Sequence, residues 1–325
     1  MDKVLENVHF YFNDMKMVNF RYIKEFGLII FLVNAFSRIL RKLRLNRKIL
    51  FAYDRFKHNI DESWLHRKFN SLIDVESIDL GGKPVGEGKN YTFIFLWQGL
   101  YGAPETVRLC VESIKRHVDN VVIIDRNNYT QWVSFPGHIV ERFERGEMSH
   151  AHFSDILRFY LLYFYGGVWL DATCFLSQGI PVDVKDKEFW CVNGAFGNSY
   201  GWKWTSFVMC GKAGNVVSQH MLAFYYEYWK KYHNALTYLF LDCWLTVLYK
   251  HNKKVKDIID SLPDNGYKIF FLISNLNREY THGLKDEVDK TFFVYKLTYK
   301  EKFEKEIDGK ATLYGHLLSL YGITC

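Results

Sequence analysis

The chain has few cysteines, and none of them forms a closely spaced pair. Most of the six lie in apolar runs, and no two have CxxC spacing. This pattern favours buried free thiols in a reducing cytoplasm over a disulfide framework or a zinc site. The six are Cys110, Cys174, Cys191, Cys210, Cys243 and Cys325.

The sequence also lacks a long apolar run. Its most apolar stretch, Phe26 to Phe36, is much shorter than the roughly 20 residues that a membrane-spanning helix needs. The chain starts with acidic and aromatic residues, so we expect no cleavable signal peptide. It contains no low-complexity tract and no repeat typical of a solenoid. We therefore expect a cytoplasmic protein without a membrane span.

What the chain has is apolar and aromatic residues. Hydrophobic residues make up 49% and aromatic residues 18% of the 325 positions, which is enough for a sizeable core and excludes global disorder. This length allows one large domain, or a domain with a substantial appendage.

The basic residues are concentrated near the start. Residues 38–57 hold eight basic residues and one acid, within a net charge of +6. With the apolar stretch before it, this segment could form a helix in a membrane interface, or a buried helix with a solvated basic continuation. We predict a helical, basic N-terminal region over residues 1–77 and a second domain over 78–325, which begins with a Gly-rich linker.

A strand, helix, strand order follows the linker. Residues 91–97 and 121–125 are short apolar runs typical of buried strands, and a helical pattern lies between them after Pro104. This order predicts an α/β domain with a mostly parallel sheet, whose ligands gather at the carboxyl ends of the strands. We predict further strands near 189–192, 206–210 and 291–297, and a helical zone over 215–250. The candidate residues at strand ends are Trp97, Gln98, Asp125 and Asp171.

The segment from His150 to Phe175 joins a helical pattern to a short strand. Gly166–Gly167 is typical of a helix C-cap. Asp155 and Arg158 are three residues apart and share a helix face, while Asp171 follows the strand. Taken singly, a local ion pair and a turn-forming acid explain these residues. Together they could offer carboxylates to sugar hydroxyls and a guanidinium to a phosphate.

Several blocks of this region resemble one family of sugar transferases. FLWQG at 95–99, APE at 103–105, AHFSDILR at 151–158 and GGVWLDAT at 166–173 resemble, in this order, the bacterial capsular polysaccharide synthesis family. The glucosylating bacterial toxins and other DXD-type sugar transferases are similar in the same segments. The resemblance covers about residues 91–180 and implies a GT-A-like nucleotide-binding domain.

The resemblance also implies a role for each matching residue in binding a UDP-sugar. Trp97 would stack on the uracil. Asp155 and Arg158 would bind hydroxyls of the donor sugar, with Arg158 also near the diphosphate. Trp169 takes the place of a tyrosine beside the ribose, and Asp171 matches the first aspartate of the DXD pair.

The second aspartate of that pair is Thr173 here, a weaker ligand for Mn²⁺ or Mg²⁺ than a carboxylate. The resemblance still implies a divalent cation at Asp171 and Thr173. His316 could supply a further ligand, unless it is simply a core or surface histidine. Asp242 lies in an apolar helical run, where an acid is costly to bury unless it is paired or functional. It either orients the acceptor hydroxyl or forms a buried ion pair.

These features together predict a glycosyltransferase of surface polysaccharide synthesis. The resemblance implies transfer of a hexose from a UDP-sugar to a lipid-linked glycan, with retention at the anomeric carbon. The basic N-terminal segment would then keep the protein at the inner face of the cell membrane. One alternative is a non-catalytic protein that binds sugar nucleotides or glycans and has lost its metal site. Another is a nucleic-acid-binding protein, but no recognisable reading motif supports it, and we expect no nucleic-acid partner.

Overall fold

The structure is a computed structural model that describes residues 20–43, 46–75, 78–85, 90–194 and 201–323. Its helices are α1 (Phe20–Phe26), α2 (Leu28–Lys42), α3 (Arg47–Phe69), α4 (Glu105–His117), α5 (Gly137–Glu144), α6 (His150–Phe164), α7 (Val182–Lys185), α8 (Val216–Lys231), α9 (Phe240–His251), α10 (Lys253–Asp260), α11 (Phe271–Asn275), α12 (His282–Thr291) and α13 (Leu313–Leu320). Short 3₁₀ turns occur at Asn70–Leu72, Tyr129–Gln131 and Gly266–Lys268.

A five-stranded sheet forms the centre, and two short antiparallel pairs of strands lie outside it. The strands are β1 (Thr92–Phe95), β2 (Val121–Ile124), β3 (Gly167–Leu170), β4 (Cys174–Leu176), β5 (Phe189–Cys191), β6 (Val208–Gly211), β7 (Val294–Lys296), β8 (Glu306–Ile307) and β9 (Lys310–Ala311). The central sheet has the order β2-β1-β3-β6-β5. Strands β1, β2 and β3 are parallel, and β6 and β5 continue the sheet in antiparallel pairing. The predicted α/β class with a mostly parallel sheet is confirmed.

The parallel part of the sheet fixes where a ligand can bind. Because β1 lies between β2 and β3, the carboxyl ends of all three strands meet at one edge. Helix α6 packs against β3 and α8. The loops after β1, β2 and β3 are therefore brought to the same edge.

Two small antiparallel pairs lie outside the central sheet: β4 with β7, and β8 with β9. We call the first pair the β4–β7 ribbon. It joins Cys174 to Lys296 in register, although the two residues are far apart in sequence. The sequence pattern predicts β7 but gives no indication of β4. The ribbon brings the C-terminal part of the chain to the end of β3.

The N-terminal helices pack into the main hydrophobic core. Phe69 at the end of α3 contacts Phe224 and Trp244, with ring centroids 5.2 and 6.3 Å apart. Tyr22 of α1 donates a hydrogen bond of 2.6 Å to the carbonyl of Leu236. The helices of the predicted N-terminal region thus share one core with the sheet and its helices. A domain boundary near residue 77 stays a prediction.

The helical zone predicted over 215–250 is two helices rather than one. Helix α8 ends at Lys231, and α9 begins at Phe240. Contacts from α1 hold the connection: Glu25 accepts hydrogen bonds from the backbone nitrogens of His233 and Asn234 at 3.1 and 3.2 Å. The break depends on a partner some 200 residues away, so the local pattern does not reveal it.

Helix α2 presents apolar side chains to both the core and the solvent. Ile30 and Leu40 are buried, whereas several residues of the same helix and its C-cap are exposed. The exposed apolar group, which we call the α2 apolar face, comprises Leu28, Ile29, Leu32, Phe36, Ile39 and Leu43. No helix in the described ranges is long and apolar enough to cross a bilayer.

The prediction of buried free thiols is confirmed for the cysteines in the described part of the chain. Five cysteines are buried free thiols: Cys110, Cys174, Cys191, Cys210 and Cys243. Cys325 lies outside the described residues.

Candidate functional site

Two glycines let α6 turn directly into β3. Gly166 and Gly167 have φ angles of 68° and 94°, the left-handed region that glycine adopts without cost. A Cβ on Gly166 would lie 2.7 Å from the backbone nitrogen of Ala213, and one on Gly167 would overlap the carbonyl oxygen of Tyr91. The predicted C-cap is confirmed. It fixes the distance between side chains on α6 and the end of β3.

Arg158 joins two carboxylates that come from different elements. Its Nη1 donates to Asp155 Oδ1 at 2.9 Å, one turn earlier in α6. Its Nη2 donates to Asp171 Oδ1 at 3.4 Å, just beyond β3. The guanidinium is buried, with 4% of the side chain exposed, while Asp171 keeps 31% exposure. The structure thus brings together three residues that the sequence analysis singled out.

Trp169 contacts both Asp171 and Arg158. Its Nε1 donates a hydrogen bond of 3.1 Å to Asp171 Oδ1, and the guanidinium of Arg158 lies 4.9 Å from the centre of its ring. Only 1% of Trp169 is exposed. The contact that the structure gives it is with Asp171, and its predicted place beside a ribose stays a prediction.

The cluster contains a fourth charged residue that the sequence analysis missed. Lys296 Nζ donates to Asp171 Oδ2 at 2.8 Å. The β4–β7 ribbon places it there, since Lys296 pairs with Cys174 directly after the turn that begins at Asp171. The predicted strand over 291–297 includes this lysine, but nothing local indicates that it faces a carboxylate 125 residues away.

The pKa values of Asp171 and Asp155 are shifted in opposite directions. Burial raises the pKa of Asp171, but Lys296 and then Arg158 outweigh burial, so that the pKa lies below its usual value. Burial also raises the pKa of Asp155, and the pull of Arg158 only partly offsets it, leaving a pKa of about 6. At neutral pH Asp171 carries a negative charge. Asp155 is mostly ionised at neutral pH and takes up a proton when the pH falls to about 6.

Asp242 lies near the start of α9. Its Oδ1 accepts a hydrogen bond of 3.0 Å from Trp204 Nε1. Burial raises the pKa of this carboxyl to about 7, against the hydrogen bond from Trp204, and the charge of Asp155 adds to the rise. Asp242 is half-buried and has an aromatic hydrogen-bond donor as its partner, which the sequence pattern did not indicate. It is coupled in charge to the cluster on α6.

The residues predicted at the ends of β1 and β2 lie along the same edge of the sheet. Trp97 is half-buried and packs edge-on against Phe143, with ring centroids 5.0 Å apart. Gln98 is exposed. Asp125 Oδ1 accepts a hydrogen bond of 2.7 Å from the backbone nitrogen of Asn127. Asp125 thus shapes the loop after β2 with one oxygen, and its other oxygen lies near the loop after β1.

The residues proposed as metal ligands fit a divalent cation poorly in this arrangement. Both oxygens of Asp171 already accept hydrogen bonds, one of them from Lys296. His316 stacks on Tyr280 with ring centroids 3.6 Å apart. The carbonyl of Thr173 accepts a hydrogen bond from Leu297. In the described ranges no three His, Cys, Asp or Glu side chains are grouped to hold a metal ion.

A comparison of the sequence with protein families identifies a match that spans most of the chain. The family described as "Capsular polysaccharide synthesis protein" matches residues 44–317. The chain belongs to this family. The match begins before the first strand and includes α3, α9 and Lys296, as well as the blocks around β1 and β3. No curated protein matches the chain in sequence.

Solved structures provide a more distant likeness. The structure titled "PaToxG Glycosyltransferase" is 14% identical in sequence, covers 80% of this chain and 98% of its own, and superposes with a TM-score of 0.35. The family assignment rests on the sequence match alone. Within this capsular polysaccharide synthesis protein, the acids and bases at the end of β3 are the candidate site.

Proposed function

We propose that this protein is a glycosyltransferase that transfers a hexose from a UDP-sugar to a glycan acceptor in capsular polysaccharide synthesis. The observation that supports it most is the junction of Asp155, Arg158 and Asp171 at the carboxyl end of β3. The end of β1, with the half-buried Trp97, lies beside it. The carboxyl edge of a parallel sheet, with an aromatic ring on one side and charges on the other, suits a nucleotide carrying a sugar and a diphosphate.

Each side chain has a part that its chemistry suits. Trp97 offers a ring face to the uracil. Asp155 has one oxygen on Arg158 and a second that can accept a hydrogen bond from a sugar hydroxyl. The buried guanidinium of Arg158 carries a permanent positive charge at the place where the diphosphate would lie. Catalysis then depends on positioning and on stabilising the departing diphosphate.

The reaction proceeds with retention in this proposal. The acceptor hydroxyl approaches the anomeric carbon from the side that the diphosphate leaves, so no strong base is needed at the opposite face. In this proposal Asp242 orients that hydroxyl, because a carboxyl with a pKa of about 7 can accept or donate a hydrogen bond at neutral pH. Trp204 fixes which oxygen of Asp242 remains available.

The acceptor is a lipid-linked glycan in this proposal, and the α2 apolar face meets the membrane surface. Six exposed apolar positions on one helix and its C-cap are unusual for a surface that meets only water. Arg38 and the exposed Lys42 on the same helix would favour anionic lipid headgroups. Such contact would keep the protein at the inner face of the membrane without crossing it.

The test is release of UDP from a panel of UDP-hexoses by the purified protein, with and without Mn²⁺. We expect slow hydrolysis of at least one donor, and loss of that hydrolysis in Asp155→Ala. Binding of UDP-sugars without any turnover, even with a glycan acceptor present, would favour the non-catalytic alternative instead.

A further inference from the structure

The pair of Lys296 and Asp171 is partly exposed at the carboxyl end of β3. Lys296 Nζ lies 2.8 Å from Asp171 Oδ2, and the two side chains are 21% and 31% exposed. The lysine side chain is therefore not closed off from solvent. Arg158, on the other side of the same carboxylate, is nearly closed off from solvent.

The backbone on both sides of Lys296 is held by hydrogen bonds. Lys296 N donates to the carbonyl of Ile269 at 3.0 Å, and Leu297 N donates to the carbonyl of Thr173 at 2.9 Å. The ribbon pairing with Cys174 adds a third constraint. The position of this lysine therefore follows from the fold and not from a mobile surface loop.

The charges at the end of β3 are already balanced by protein cations. Asp171 has Lys296 on one oxygen and Arg158 with Trp169 on the other. The neighbouring position that would carry a second carboxylate is Thr173. A divalent cation usually needs ionised oxygen ligands with room around them, whereas here the single carboxylate is engaged. The ammonium of Lys296 supplies a positive charge at this carboxylate.

We propose that Lys296 is the diphosphate-binding cation of this site and takes the place of a divalent metal ion. The proposal rests on the proposed UDP-sugar transfer. A lysine ammonium is a compact charge with three donors and is a frequent phosphate ligand. Lys296 holds the diphosphate oxygens at the exposed end of β3, and Arg158 contributes its buried positive charge from the other side of Asp171.

In the transfer step, the bond between the anomeric carbon and the β-phosphate oxygen breaks, and its electron pair stays on the phosphate. The acceptor oxygen forms the new bond to that carbon, and its proton leaves with the diphosphate. Lys296 keeps all its protons and stabilises the negative charge that develops on the leaving oxygen.

The experiment measures binding of uridine and UDP by calorimetry, in EDTA and in Mn²⁺. Lys296→Met keeps most of the apolar stem and removes the charge, Lys296→Arg keeps a charge, and Lys310→Ala removes an exposed charge elsewhere. We expect wild type to bind UDP in EDTA nearly as well as in Mn²⁺. We expect Lys296→Met to bind UDP at least about tenfold more weakly than wild type and to bind uridine with unchanged affinity. Lys296→Arg and Lys310→Ala should bind UDP with an affinity close to that of wild type.

Two results would overturn the proposal and leave the proposed function intact. One is UDP binding by wild type that requires Mn²⁺, and the other is equal UDP affinity of Lys296→Met and wild type in EDTA. Absence of UDP binding in every condition would instead contradict the proposed function itself. Circular dichroism of each variant checks the fold, and the uridine measurement detects general damage to the nucleotide-binding site.

Discussion

Trp204 Nε1 donates a hydrogen bond of 3.0 Å to Asp242 Oδ1, and this contact joins the loop before β6 to the start of α9. The carboxyl is nevertheless largely neutral below pH 7, because burial raises its pKa to about 7. A hydrogen-bond donor alone does not offset the loss of water around a charge. The pair therefore gives the protein a measurable dependence on pH.

The first prediction concerns that dependence. The folded protein keeps a proton on Asp242 up to about pH 7, whereas in the unfolded chain the carboxyl has its ordinary value of 3.8. Its contribution to stability is thus present at low pH and is lost as the pH rises from about 4 to about 7. Asp242→Asn is always neutral and escapes this loss. The melting temperature of the variant minus that of wild type should rise from pH 5 to pH 7 and then level off; a difference that falls over this range contradicts the assignment.

The second prediction concerns Asp171 as the residue that holds both cations. Asp171→Asn removes the charge that positions Lys296 and Arg158, so we expect sugar transfer or donor hydrolysis to fall by at least about tenfold. Steady-state rates of UDP release provide the measurement. Asp183→Asn, on α7, is the matched control and should leave the rate unchanged.

The third prediction concerns the glycines between α6 and β3. Gly167→Ala should lower the free energy of unfolding by more than about 2 kcal/mol, because φ is 94° and the added methyl would overlap the carbonyl of Tyr91. Gly283→Ala, in α12, meets no atom within 4 Å and should change it by less than about 1 kcal/mol. Urea titration of the two variants gives the comparison, and equal values would contradict the tight junction.

The fourth prediction concerns the α2 apolar face. Replacing Leu32 and Phe36 together with Asp should reduce flotation with anionic vesicles by at least about tenfold, since both exposed side chains would otherwise enter the lipid interface. Val182→Asp, an exposed apolar position on α7, is the control. Substitution is a cleaner test than deletion of the N-terminal helices, because deletion would also remove Phe69 from the core.

Flotation that is unchanged in the Leu32 and Phe36 double variant would remove the membrane role of this helix. The proposed sugar transfer would remain, with an acceptor that reaches the site by another route.

The sequence was most informative where local pattern decides the structure. The helix at 150–165, the turn at Gly166 and the strand before Asp171 follow from spacing, glycine and apolar alternation. The same segment holds three of the charged residues that the fold brings together. A single continuous stretch therefore predicted both the hinge and most of the candidate site.

The remainder depends on contacts between distant parts of the chain. Lys296 reaches Asp171 only because β4 pairs with β7, and β4 is three residues long. Trp204 and Asp242 are 38 residues apart and belong to different elements. No local periodicity encodes such pairings. The metal expectation came from the resemblance to DXD-type transferases, which carries no information about a lysine arriving from another strand.

The central claim is that the edge of the sheet between Trp97 and Asp171 binds a uridine nucleotide. Its most direct test measures the melting temperatures of wild type and Trp97→Ala with UDP, ADP and GDP, each at a saturating concentration. We predict that UDP raises the melting temperature of wild type by a few degrees, that ADP and GDP do so less, and that Trp97→Ala loses the effect of UDP. A wild-type protein that no nucleotide stabilises would contradict the account.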